Sequence, residues 1–88
     1  MTVLIRNHVE GMNASRYDEI APPLIEKLKT QAGFLLHVSY ETNAGEFVVA
    51  EIWESQEQHA QWFDENVKPN LPGTASHEVM EIHSLHRP

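Results

Sequence analysis

The sequence predicts a single α+β domain spanning residues 1–88, with its elements in the order β-α-β-β-α-β. Three observations carry this. Four runs rich in branched and aromatic residues alternate with period two and read as strands. Two apolar stripes at helical spacing, each opened by a capping residue, fall after the first run and after the third. Asn43-Ala44-Gly45 supplies turn chemistry between the middle two runs and makes them a β-hairpin. Two right-handed crossovers then give a four-stranded antiparallel sheet in the order 4-1-3-2, with both helices on one face. This is the ferredoxin-like arrangement.

The first strand is TVLIRNHVE, residues 2–10, with Val3, Ile5, Asn7 and Val9 on one face and Leu4, Arg6 and His8 on the other. Asn13 caps a helix in which Tyr17, Ile20, Ala21, Leu24 and Leu28 form the inner stripe. Pro22 and Pro23 interrupt that stripe. A proline in a helix interior costs about 3 kcal/mol, so a kink is expected, or a stop near Ile20 with a restart at Pro22. Gly33 closes the element. FLLHVSYE, residues 34–41, is the second strand, with Phe34, Leu36, Val38 and Tyr40 on one face. FVVAEIW, residues 47–53, is the third. Ser55 and Gln58 have capping-box spacing and open the second helix, whose inner side carries His59, Trp62, Phe63, Asn66 and Val67. Lys68-Pro69 ends it. LPGTAS is read as loop, and the last strand as residues 78–85.

The sheet face away from the helices is expected to carry Leu4, Leu35, Val49 and Trp53, and nothing in the chain remains to cover them. An exposed apolar sheet marks an interface, and a second copy packed sheet against sheet is the simplest cover. Size points the same way. A chain of 88 residues buries only about 60–65% of its extended surface. It has no cysteine to cross-link a small core.

A formal charge of −7, with six scattered Lys and Arg, disfavours nucleic acid and anionic membrane surfaces. No apolar run reaches the roughly 20 residues of a membrane span. MTVLIRNHVEGM has no basic segment leading into an apolar core, so a signal peptide is not expected and a cytoplasmic location is. Protonating all six His would move the charge from −7 toward −1, so association is expected to respond to pH.

HEVMEIH, His77 to His83, has the look of the helical zinc signature HExxH. A zinc helix needs its two His four residues apart on one face. Here the alternation is that of a strand. At roughly 3.4 Å per residue the two imidazoles stand about 20 Å apart and cannot share one ion. No metal is expected. Nor is there a Gly-rich phosphate loop, a GxSxG or a Cys nucleophile.

TVLIRNHVEGMNASRYDEI, QAGFLLHVSY, VVAEIWESQEQHAQWFDENVKPNLP and EVMEIHSL together resemble the antibiotic biosynthesis monooxygenase-like (ABM) domains of the dimeric α/β-barrel superfamily. The most specific part is a strand ending in IWES followed by a helix carrying HxxWF. The resemblance implies a barrel made from the two sheets of a homodimer. It also implies a small-molecule pocket between each sheet and its helices. Activities implied by the family include cofactor-independent oxygenation of aromatic polyketides, haem degradation and isomerisation. Oxygenase and haem-degrading members place an Asn and a Trp in the pocket, and Asn7 and Trp62 match those positions. Haem-degrading members carry an iron-binding His shortly after the Trp. FDENVKPNLP has none, which argues against haem and for no cofactor.

The expected site therefore has Asn7 to hold a substrate oxygen, Trp62 and Phe63 as apolar wall, and His59, one helical turn before Trp62, to move a proton. Trp53 and His37 are expected as further substrate contacts, although packing at a dimer interface is the stronger reading for Trp53. His37 reaches Glu51 across the hairpin if the register permits. That pair is expected at the dimer interface, with Arg6 and His8 joining its network. The expected ligand is a small aromatic molecule. The alternative is a non-catalytic dimer that binds a small ligand or a partner protein.

Overall fold

A computed structural model describes residues 1–88. The elements are β1 (Val3–Val9), α1 (Ala14–Leu28), β2 (Phe34–Glu41), β3 (Phe47–Trp53), α2 (Gln56–Trp62) and β4 (Ala75–Glu81). After Trp62 the second helix widens into a π-helical turn, Phe63–Val67, and tightens into a 3₁₀ turn, Lys68–Asn70. The four strands pair antiparallel in the order β2-β3-β1-β4, the order expected from the chain's element pattern.

Local chemistry accounts for the element ends. Asn13 Oδ1 accepts the Arg16 N–H at 2.9 Å, and Ser55 Oγ accepts the Gln58 N–H at 3.2 Å, so each helix has its side-chain cap. Gly33 has φ +87°, and a Cβ there would stand 2.1 Å from Gln58 Oε1, so no other residue fits this turn unstrained.

Two boundaries differ from expectation. α1 runs unbroken through Pro22 and Pro23 rather than stopping and restarting. The prolines lie on the solvent side, as do Asp18 and Glu19, whose carbonyls lose their intrahelical donors. Water can take the place of those bonds, so the helix survives the loss. β4 starts three residues earlier than read and ends at Glu81, because Ala75 to Glu81 pairs with β1 from Val9 to Val3. His83 lies beyond the strand end.

The pairing register also corrects the assignment of faces. Val3 pairs with Trp53, Ile5 with Glu51 and Asn7 with Val49. Trp53 and Val49 therefore share the helix-covered face with Val3, Ile5 and Asn7, not the open face. The hairpin register breaks between Phe34 and Leu36, so Leu35 is the extra residue of a bulge. This sends Phe34 into the core against Trp53, with ring centroids 5.6 Å apart, while Leu36, Val38 and Tyr40 stay on the open face. Val3, Ile5, Leu28, Trp53 and Trp62 form the packed core, with Ile25, Phe34 and Val67 against it.

Candidate functional site

Beyond this core, toward Val9, Tyr17 and Leu71, the layers part. A cavity of about 80 Å³ opens between the sheet and the inner sides of α1 and α2. Of its 18 lining residues 14 are hydrophobic, so the four others, Asn7, His37, Glu51 and His59, set its chemistry together with the hydroxyl of Tyr17. Each of these is aimed by its element. Asn7 follows Val3 and Ile5 on the inward side of β1. His37 and Glu51 are direct cross-strand partners in the hairpin, so both point inward. Tyr17 and His59 project from the facing helices.

Glu51 is 5% exposed, and a buried carboxylate needs partners. It has two. Trp53 Nε1–H donates to Oε1 at 2.9 Å, and His37 Nδ1 lies 2.6 Å from Oε2. His37 Nε2 in turn lies 2.6 Å from the Tyr17 hydroxyl. The indole can only donate, and an ionised carboxylate can accept twice, so His37 places a proton on Nδ1; when the ring is neutral, Nε2 accepts from Tyr17. Burial pushes the Tyr17 phenol above its ordinary pKa of 10.0, which keeps it a donor.

Asn7 is equally buried. Its Nδ2 donates to the Val49 carbonyl at 3.3 Å, and its Oδ1 accepts from His77 Nδ1. His59 is 4% exposed and its Nε2 has no hydrogen-bond partner; the nearest charge is Glu51 Oε1 at 4.0 Å. Its ring stacks on Phe63 at 5.9 Å and meets His77 edge-on at 5.6 Å. Burial pushes the His59 pKa below 6.5, opposed in part by Glu51, and burial lowers His77 as well.

Asn7, His37, His59, Trp62 and Phe63 all line the cavity. Trp53 does not. It is 1% exposed, lies in the core, and reaches the site only through Glu51. The His37–Glu51 pair faces the cavity rather than the open sheet face. Arg6 and His8 do not join it, since they point to the opposite face, where Arg6 Nε donates to the Tyr40 hydroxyl at 3.2 Å. Sequence reasoning missed Tyr17 and His77 as site residues, and it named Glu51 as the partner of His37 but expected the pair at the dimer interface. Tyr17 was indistinguishable from an ordinary stripe residue, and His77 needed the β1–β4 register.

Comparison with known proteins adds a frame. The family model described as antibiotic biosynthesis monooxygenase matches residues 1–67. A monooxygenase from the gene ActVA-Orf6 of Streptomyces coelicolor, solved with nanaomycin D, superposes with a TM-score of 0.65 at 20% identity, covering 99% of this chain and 91% of that one. SnoaB, a cofactor-independent oxygenase from Streptomyces nogalater, gives 0.63 at 15% identity over 96% of this chain and 93% of that one. Rv0793 from Mycobacterium tuberculosis gives 0.63 at 16% identity, covering 98% and 97%. At such identities the likeness fixes the fold and no more. A search of curated proteins found no match.

Proposed function

The chain belongs to the antibiotic biosynthesis monooxygenase family, and on that premise we propose that it is a small cofactor-independent monooxygenase-like enzyme of secondary metabolism. Its substrate is an aromatic or polyketide-like molecule held between sheet and helices. The observation that carries this reading is the cavity itself: an apolar chamber with a few convergent polar groups is the usual form of a small-molecule site. Two structural neighbours, described as a cofactor-independent oxygenase and as a monooxygenase holding nanaomycin D, support it.

In this reading the substrate's own stabilised carbanion activates oxygen. A ring carbon conjugated with the substrate oxygen, a methylene in the keto tautomer, becomes a carbonyl: one oxygen atom is retained, the other leaves with two hydrogens as water. Asn7 orients the substrate oxygen, and Trp62 and Phe63 form the apolar wall. His59, held neutral by burial and with Nε2 unpaired, is the proton carrier nearest that wall. Two copies close their open sheet faces on each other as a homodimer, and the cysteine-free chain works in the cytoplasm. No helix is long and apolar enough to cross a membrane.

Oxygen uptake across a panel of phenols, from single rings to anthrone-type compounds, tests the proposal. At least one should be turned over, with a fall of about tenfold or more in Asn7→Ala. A second reading, a binding dimer without turnover, draws on the fact that both amide atoms of Asn7 already have protein partners. Tight binding with no oxygen uptake across the whole panel would establish that reading instead.

A further inference from the structure

With His37 neutral and its proton on Nδ1, the hydrogen bonds along the sheet wall run one way. Trp53 and His37 each donate to Glu51, and Tyr17 donates to His37. Every proton in this chain is committed toward the carboxylate. What the chain still offers the cavity is acceptor capacity, the lone pairs on the Tyr17 oxygen. A ligand presenting an O–H completes the chain; a ligand presenting only carbonyls does not.

From this direction of donation we infer that Tyr17, His37 and Glu51 form the proton-accepting device of the cavity, and that its substrate is a single-ring phenol. The inference rests on the enzymatic reading above. The ligand's O–H bond breaks and its proton passes to the Tyr17 oxygen. The proton of Tyr17 moves to His37 Nε2. The products are a phenolate and an imidazolium, the latter paired with the Glu51 carboxylate, whose other oxygen accepts from the indole N–H. Tyr17 touches the substrate. His37 is the base and acts through it, and Glu51 positions His37 and stabilises its cation, as the third member of any oriented base pair does.

Two further titratable groups face this chain. His59, from α2, lies 4.0 Å from Glu51 Oε1 and is kept neutral by burial, so it adds no competing charge. Asp18, beside Tyr17 on α1, is exposed and opposes ionisation of the Tyr17 phenol. Both leave Tyr17 a relay rather than a store of charge.

Cavity size favours a small ligand. The cavity measures about 80 Å³, and benzene occupies one of about 150 Å³. A single ring therefore enters with a modest opening between α1 and the sheet, and a fused polycyclic skeleton needs a much larger one.

The probe is para-nitrophenol, whose yellow phenolate is read separately from its colourless phenol. With the intact protein, the bound probe should ionise about one unit or more below the free compound. That shift should vanish in Tyr17→Phe and in His37→Gln while binding persists within about threefold. If one variant fails to fold, the other decides. A bound probe that stays neutral, or ionises equally in the folded variants, overturns the proton-accepting device and leaves the enzymatic reading intact. Absence of binding overturns the single-ring assignment; oxygen uptake with larger phenols in the same preparation then shows whether the enzymatic reading survives.

Discussion

The two faces of the one sheet handle burial in opposite ways. Under the helices, the face carries Asn7, His37 and Glu51 amid apolar neighbours, and their polar atoms are paired. The open side mixes bare apolar groups with a polar strip: Leu36, Val38 and Tyr40 on β2 and Met80 on β4 are each at least 38% exposed, and Arg6 beside them pairs with Tyr40 and Glu78. Between them, Val48, Ala50 and Ile52 on β3 are buried only by their neighbours in the sheet. Each face also keeps one buried imidazole nitrogen without a partner, His59 Nε2 inside and His8 Nδ1 outside. The covered face spends its burial on chemistry, at a cost in stability. The open face leaves apolar groups exposed that the proposed second copy would cover.

Glu51→Ala should have the largest effect on stability. It strands two buried donors, His37 Nδ1–H and Trp53 Nε1–H, at about 1–3 kcal/mol each. For a domain of this size that lowers Tm by well over about 10 °C, read by calorimetry. Glu51→Gln, which retains an acceptor oxygen, should lose clearly less. Equal losses would mean that the carboxylate is not holding both donors.

Val38→Glu tests the other face. It should leave the far-ultraviolet circular dichroism unchanged, yet weaken dimerisation about a hundredfold, some 2.7 kcal/mol, in sedimentation velocity. A variant that sediments like the parent at every concentration would separate the open face from assembly. Glu51→Ala, measured at a temperature where it is folded, should not alter the dimer constant, because its side chain faces the cavity.

A smaller effect distinguishes the faces by pH. His59 and His77 have pKa values lowered below 6.5 in the folded state. The unfolded chain therefore binds more protons than the folded one in the window below 6.5. Stability is complete above about 6.5 and falls as pH drops toward the folded values. For the buried His59 the slope is at most about 1.4 kcal/mol per pH unit, and the exposed His77 contributes less. His59→Phe should flatten the profile, measured by denaturant titration at several pH values; an unchanged slope would assign the acid sensitivity elsewhere. Tyr17 acts at the alkaline end. Its pKa is raised, so its contribution is present below the ordinary value of 10.0 and is lost as pH rises past it.

Much of this was legible before any coordinates. Alternation in TVLIRNHV and FVVAEIW, the caps at Asn13 and Ser55 and the turn at Asn43-Ala44-Gly45 are local signals, each decided by residues close in the chain. They were enough to set the element order and the sheet order; Asn7 and Trp62 were singled out by the family resemblance instead. The local signals also marked HEVMEIH as strand rather than zinc helix.

Which face of β3 looks inward was a different kind of question. It turns on pairing register, and a slip of one residue exchanges every side chain between faces. The bulge at Leu35 and the pairing of Val3 with Trp53 put Glu51, not its neighbours, under the helices. The same register on the far edge brings His77 beside Asn7, 70 positions away in the chain. The sequence by itself determined the elements, their order and the net negative charge, because these depend on local spacing and composition. Only the tertiary structure decided that Tyr17, His37, Glu51 and Trp53 share one hydrogen-bond chain. Those bonds join two strands and one helix whose relative offset is set by packing the whole layer, and no short stretch of sequence encodes that offset.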